Sequence, residues 1–563
     1  MQYLARYAAA SQVVGQGSSR AVLMQPNLAR DEVAFDAAIR DPVRFREAIS
    51  TLHDVVVSDL RVTKRDRAAY AEFQKRRSDE EHAVRTRAAA AERDRQLAEA
   101  RQLPPLAPGV RDRFDVLRKR YWALRQDYSR HLLRHDRELW RLLMPCDPVV
   151  TVADDVVFFE CFSADGSSYG CLNVDRDGFD PAAHVALGTT NVDYTWTLYD
   201  HFQSLRSYRH TRLTVDPGGF GVATDQAAGH REEKIDLPDG WLRGFLQVQS
   251  AMAMPTVQVS LSRDCVYSLL AFLKRHRAKT SPRALRFELR PGQPASLVLE
   301  PWEKRIDSRG TPSLGPEREP IRIWGVRRLL MLARLLPLVD RIDVHLLGTG
   351  LPSFWVARLG AMRLVIGLSG WTANDWTAGS PIDSLRPPVE LTDQQIAAAA
   401  ATMRQQRAIP RDALAAALGT DAATAMATAD ALAHRGQVIF DLVDDQYRWR
   451  SVMPAAIAES ELGPPNPEVV ASRQLLRKGK VRNREVIVED RAVRIVGEVD
   501  RHVCEVTLSA DRILSAGQCD CSHHFQNGIR RGPCRHLLAL RDSGDTPTTL
   551  TQWYERLTRR SSN

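Results

Sequence analysis

The sequence lacks any run of about 18 uncharged apolar residues, the length a membrane-crossing helix needs. Its best stretch, Leu329–Val339, is broken by Arg334 and bounded by charges. The N-terminus carries Arg6 but no sustained apolar segment and no clear small-residue cleavage site, so no secretory signal is read and the expected compartment is the cytoplasm. Cysteine is scarce, with eight in 563 residues. Cys146, Cys161, Cys171 and Cys265 are scattered and read as buried thiols of a reducing compartment. No Gly-x-x-x-x-Gly-Lys-Ser/Thr, His-Glu-x-x-His or Gly-x-Ser-x-Gly occurs, and no repeat with a period of 20–50 residues. Asp154-Asp155 and Asp444-Asp445 read as surface turns, and Asn191, Asp193 and His201 lack a nucleophile or second ligand set. The expectation is a protein without catalysis of its own.

What is present excludes a mainly disordered chain: 44% of residues are hydrophobic. At roughly 100–200 residues per domain the length implies several domains. The net charge is +9 and uneven. Between Pro464 and Asn563 there are 17 basic and 12 acidic residues, so five of the nine excess charges lie there. Such an excess permits contact with nucleic acid or acidic proteins and proves neither.

The overall expectation is a multi-domain α+β chain. Residues 1–147 are expected to be a helical region. Residues 62–103 are rich in Arg, Glu, Asp and Ala without Gly or Pro; after a Pro/Gly break at 104–109, Val110, Phe114, Leu117, Tyr121, Leu124 and Tyr128 recur at spacings of four and three. Together these predict a coiled-coil-like helical hairpin. Residues 148–380 read as a mixed α/β region, divisible into two subdomains. Strands are expected at 149–152, 156–162, 169–174, 209–222, 256–261, 285–289, 295–299, 341–347 and 362–368, with helices at 262–277 and 326–336. Residues 188–202 read as a loop entering a helix. Trp324, Trp355, Trp371 and Trp376 are expected mainly as buried packing, beside loops at 348–353 and 370–376 that could line a pocket.

Residues 389–453 carry a local grammar. Thr392 and Gln395 form a capping box opening a helix to about Gln406. A second helix runs Pro410–Leu418 and stops at Gly419; a third runs to His434, followed by a hairpin around Asp444-Asp445. This order resembles a winged helix-turn-helix. Its third helix has two aspartates and one arginine, and the segment has six basic against eight acidic residues. A packing or protein-contact role is therefore preferred over reading base edges.

The last domain, 468–545, holds the remaining cysteines. The pattern is Cys519-x-Cys521, twelve residues, Cys534-x-His536, after three strand-like stretches and before an apolar helix. Residues two apart on an extended strand project to one side. Gly532-Pro533 starts a helix whose first turn carries Cys534 and His536. Three thiolates and one imidazole suit a single tetrahedral Zn²⁺ and leave no position for a catalytic water. His523 and His524 are alternative ligands, and Cys504, mid-strand, reads as a core thiol. Six basic residues fall within Arg473–Arg484, with Arg530, Arg531 and Arg535 near the knuckle and no interleaved aromatic.

The Cys-x-Cys…Cys-x-His pattern over about Ala471–Ser543 resembles the SWIM zinc finger, with all four ligand types matching. The resemblance implies a zinc-stabilised ββα module that contacts nucleic acid or proteins. The middle region and winged helix also resemble long bacterial SWIM-family proteins, and that likeness implies partners of the MoxR-type AAA ATPase or von Willebrand A-domain class. The functional expectation is an interaction scaffold or regulator, with nucleic-acid binding through the basic terminal domain as the alternative.

Overall fold

The computed structural model describes residues 12–14, 19–24, 33–56, 148–191, 202–215, 241–313, 319–370, 382–452, 466–488, 492–509 and 513–543, apart from a few single positions, with Arg113, Val116, Leu117, Arg120 and Trp376. The expected hairpin at 62–142 lies outside the described residues but for those four helical positions near its middle.

The chain is mixed α+β and rich in sheet. It opens with β1 (Gln12–Val14), β2 (Ser19–Met24), β3 (Ala34–Ile39) and α1 (Pro42–Val56). Then come β4 (Val149–Val152), β5 (Val156–Phe162), β6 (Ser168–Asp175), β7 (His184–Ala186), β8 (Gly188–Asn191), β9 (His210–Val215), α2 (Trp241–Met252), β10 (Val257–Leu261) and α3 (Arg263–Arg275). β11 (Leu285–Glu288), β12 (Ser296–Leu299), β13 (Lys304–Asp307) and β14 (Ile321–Ile323) precede a 3-10 helix at Val326–Arg334, and β15 (Arg341–Leu346), β16 (Ser353–Leu359) and β17 (Met362–Leu368) follow it.

An eight-stranded antiparallel sheet, ordered β10-β15-β16-β17-β6-β5-β4-β8, forms the middle of the molecule. Both its faces are covered. Trp355, Ala357, Leu364 and Ile366 point into one core with Phe45, Leu52 and Leu269. Phe354, Val356, Val365 and Phe158 point into a second core with Phe245 and Val248. Double coverage explains the near-continuous apolar runs of β5 and β17, because alternation appears only where one face meets water.

Two expectations are corrected here. Across the region 148–380, β17 pairs with β6 from Met362↔Val174 to Leu368↔Ser168. The N-terminal portion is not wholly helical: β1, β2 and β3 join a five-stranded sheet with β7 and β9, and Phe35 and Phe45 enter the first core. Neither pairing is visible locally, since the partner strands lie far away in the chain. Gly188–Asn191 is strand β8 against β4 and not the start of a loop. Trp324, Trp355 and Trp376 are buried.

Residues 393–449 form α4 (Asp393–Gln406), β18 (Ala408–Pro410), α5 (Leu414–Leu418), α6 (Ala422–His434), β19 (Val438–Asp441) and β20 (Gln446–Trp449), with the strands in the order β18-β20-β19. The capping box is present: Thr392 accepts from the Gln395 amide at 3.2 Å and its own amide donates to Gln395 Oε1 at 2.8 Å. This unit is welded to the large sheet. Arg448 donates to Asp155 at 2.6 and 2.9 Å and to Asp441 and Asp444. Arg450 reaches Glu160 at 2.7 Å with both side chains wholly buried. Burial would raise the Asp155 pKa, but the bidentate Arg448 guanidinium holds it below the ordinary carboxylate range. The acidic pairs read as surface turns are thus inter-element clamps: Asp444 also meets Arg363, and Asp445 meets Arg411.

The last part is α7 (Pro467–Arg477), the antiparallel sheet β21 (Val481–Val488), β22 (Val493–Val499), β23 (His502–Leu508) and β24 (Leu514–Cys519), then α8 (Ser522–Asn527) and α9 (Arg535–Asp542). It is larger than the expected ββα, since α7 and β21 belong to it. Its core residues Val493, Val506 and Leu537 are continuous with the second core. The Arg541 guanidinium donates to the Ser384 carbonyl at 2.6 Å.

Candidate metal centre

Local backbone chemistry delivers each donor. β24 ends at Cys519, directly opposite Cys504 on β23. Two residues on, Cys521 is the N-cap of α8, and its sulfur accepts the His524 amide at 3.4 Å. The chain turns back through Gly528 and Gly532, both at positive φ, 56° and 85°, a region open to glycine. Cys534 then caps α9 with extended dihedrals of −70° and 162°, and His536 follows inside the first turn. Cys-x-Cys at a strand end thus faces Cys-x-His at a helix start.

The four donor atoms all lie within 4.8 Å of one another, and all four residues are buried. Cys519 Sγ is 3.7 Å from His536 Nδ1. A tetrahedron with Zn–S bonds near 2.3 Å has edges of about 3.8 Å, so this spacing suits one ion. Among the described residues no other group of three or more such donors gathers. The cluster is compatible with a single zinc.

The three sulfurs perturb one another in opposite directions. Hydrogen bonds from Cys519 and Cys534, with His536 and the His524 amide, push the Cys521 thiol far below its usual range against the cost of burial. Cys519 is held up first by Cys504, and Cys534 first by Cys519. A bound dication would supply the charge that favours the thiolate form at all three sulfurs.

A supporting shell surrounds the donors. The His502 and His536 rings lie 4.3 Å apart, and His502 Nδ1 is 2.5 Å from Asp520 Oδ1. Asp520 also accepts the Val503 amide at 3.2 Å. Arg535 binds Glu468 through its amide and guanidinium at 2.8, 3.1 and 2.6 Å, tying α7 to the start of α9. A cavity of about 230 Å³ lies between them, lined by Glu468, Lys478, Asp500, Cys521, His523 and Arg535 among others. His523 thus lines the cavity, and neither it nor His524 belongs to the donor group. Sequence reasoning missed Glu468, His502 and Asp520. The one available signal was His502-x-Cys504 in a strand beside Cys519-Asp-Cys521.

The nucleic-acid expectations can be located. On α6, Ala425, Thr428, Ala429, Leu432 and Ala433 are buried, and only Asp421 and Ala422 of 421–437 are exposed. Asp430 pairs with Arg386. α6 thus turns one face into the second core and leaves the other partly exposed. In the C-terminal part Arg473, Arg477, Lys478, Lys480, Arg482 and Arg531 are exposed. No helix among the described residues is long and apolar enough to cross a membrane.

No family model matches the chain. No curated protein matches it either. Among solved structures it is similar to proliferating cellular nuclear antigen from Entamoeba histolytica, at 13% identity over 40% of this chain and 89% of that one, with a TM-score of 0.28. It is also similar to A. fulgidus PCNA with the C-terminal region of FEN-1 bound, at 11% identity over 41% and 91%, with a TM-score of 0.27. Scores this low carry no argument about fold or role.

Proposed function

We propose that this chain is a zinc-stabilised interaction scaffold with no catalysis of its own, acting in the cytoplasm. The single observation that carries the reading is the closed, buried Cys519–Cys521–Cys534–His536 donor set. Its four donors fill a tetrahedral zinc and leave no position for a reacting water, so the metal acts as a staple. We read residues 468–545 as a SWIM-type module and 389–453 as a winged helix. The apolar face that α6 turns into the second core supports a packing role for the latter. The exposed basic stretch from Arg473 to Arg482 is the partner face, directed at an acidic protein surface. A MoxR-type AAA ATPase or a von Willebrand A-domain protein is the partner class this reading implies. Cross-linking and purification from the host should recover one specific protein, and recovery should fall when Arg473, Arg477 and Lys478 are changed to Glu. Recovery unchanged by the substitutions, or no specific protein, refutes it.

The same exposed charges favour a second reading, nucleic-acid binding through the terminal domain. If about four to five phosphates are contacted, log K falls against log salt with a slope near −4 on duplex DNA. A flat salt dependence removes this reading.

A further inference from the structure

Four thiols, not three, gather at the metal centre. Cys504 stands directly across the β23–β24 ladder from Cys519, with their sulfurs 3.5 Å apart. A complete shell of three thiolates and an imidazole needs no further sulfur. Cys504 is 1% exposed and also lies 3.4 Å from the His502 carbonyl, so backbone and core hold it in place. Directly opposed residues of an antiparallel pair have Cα atoms about 4.5–5.5 Å apart. That separation falls inside the range a disulfide spans, about 4.4–6.8 Å. Cys519, at 6%, is more exposed than Cys504, Cys521 or Cys534.

We propose that Cys504 and Cys519 are a built-in disulfide-forming pair, through which a peroxide withdraws Cys519 from the metal and releases the ion. The inference rests on reading Cys519 as a zinc ligand. The Cys519 thiolate attacks hydrogen peroxide: an S–O bond forms, the O–O bond breaks, and hydroxide leaves. The Cys504 sulfur then attacks the Cys519 sulfenic sulfur. The S–S bond forms, the S–O bond breaks, and the departing oxygen takes the Cys504 proton as water. The two sulfurs lose two electrons, and one peroxide becomes one water and one hydroxide. Cys521, Cys534 and His536 remain as three donors, too few to close the shell.

The test uses the full chain with its zinc content measured first. Hydrogen peroxide is added, freed zinc is followed with a chromogenic chelator, and cross-linked peptides are mapped by mass spectrometry without reduction. The expected result is one zinc released per chain, a Cys504–Cys519 linked peptide, and full rebinding after dithiothreitol and added zinc. Cys504→Ala and Cys504→Ser should bind zinc beforehand, form no such link, and lose the recovery because Cys519 over-oxidises. A Cys521–Cys534 link in its place, or equally reversible release from the Cys504 variants, overturns the proposal. Should both variants fold poorly, the linkage map of the unmodified chain decides alone. A chain that holds no zinc before oxidation refutes the metal reading, and the Cys504–Cys519 link is then scored on the metal-free protein.

Discussion

Removing one ligand tests the centre most directly, and Cys534→Ser is the sharpest choice. Cys534 is wholly buried and lies at the turn where Gly532-Pro533 feeds α9. Cys519 is less suitable, because Cys504 stands 3.5 Å away as a substitute sulfur. α9 spans eight residues, too short to persist alone. Its buried Leu537, Leu538 and Leu540 contribute about 1.5–3 kcal/mol each, roughly 5–9 in total. Structural zinc in finger-sized modules contributes about 10–16 kcal/mol at neutral pH, so the metal outweighs the burial of those three side chains. Cys534→Ser should therefore bring zinc from one per chain to none. Amide protection should vanish in β24, α8 and α9 while β15, β16 and β17 keep theirs. His536→Ala should do the same. Metal content and hydrogen exchange measure both. Full zinc retention, or zinc loss with protection intact in α9, would refute the staple.

Two further outcomes follow from buried charge. Glu160 accepts Arg450 and the Tyr169 hydroxyl, the latter at 2.6 Å, with Arg450 fully enclosed. Glu160→Gln should cost about 3–5 kcal/mol by stranding that guanidinium, and Glu160→Gln with Arg450→Met should recover most of it. Urea midpoints decide this, and equal costs for single and double variants would count against the clamp. On β15, burial holds the His345 imidazole down to about 4, with Asp343 opposing and Arg358 adding to the effect. Between pH 6.5 and about 4 the unfolded chain takes up a proton that the folded chain refuses. Stability is therefore full above pH 6.5 and falls through that window, by up to about 3 kcal/mol at 1.36 per unit. His345→Gln should flatten the decline, and an unchanged slope would show that other groups carry it.

Local signals are legible where the physics is local. The Thr392–Gln395 capping box involves neighbours three residues apart. Cys-x-Cys and Cys-x-His place their side chains by strand and helix geometry alone, so the donor set needs no knowledge of the rest of the chain. β16 is hidden in the sequence because Gly348, Gly350 and Pro352 suggest a loop, whereas the strand begins one residue later at Ser353. The acidic pairs mislead because Asp155 and Arg448 are 293 positions apart.

The amino-acid order by itself determined the apolar content of the cores, the caps and turns, and the Cys-x-Cys and Cys-x-His pairs, because each depends on residues within a few bonds or one turn. Tertiary structure alone decided that β6 and β17 share a ladder, that one face of α6 joins the second core, and that Cys504 meets Cys519. Strand register and sheet order are set by the summed burial of distant segments, and no short window of sequence holds that sum.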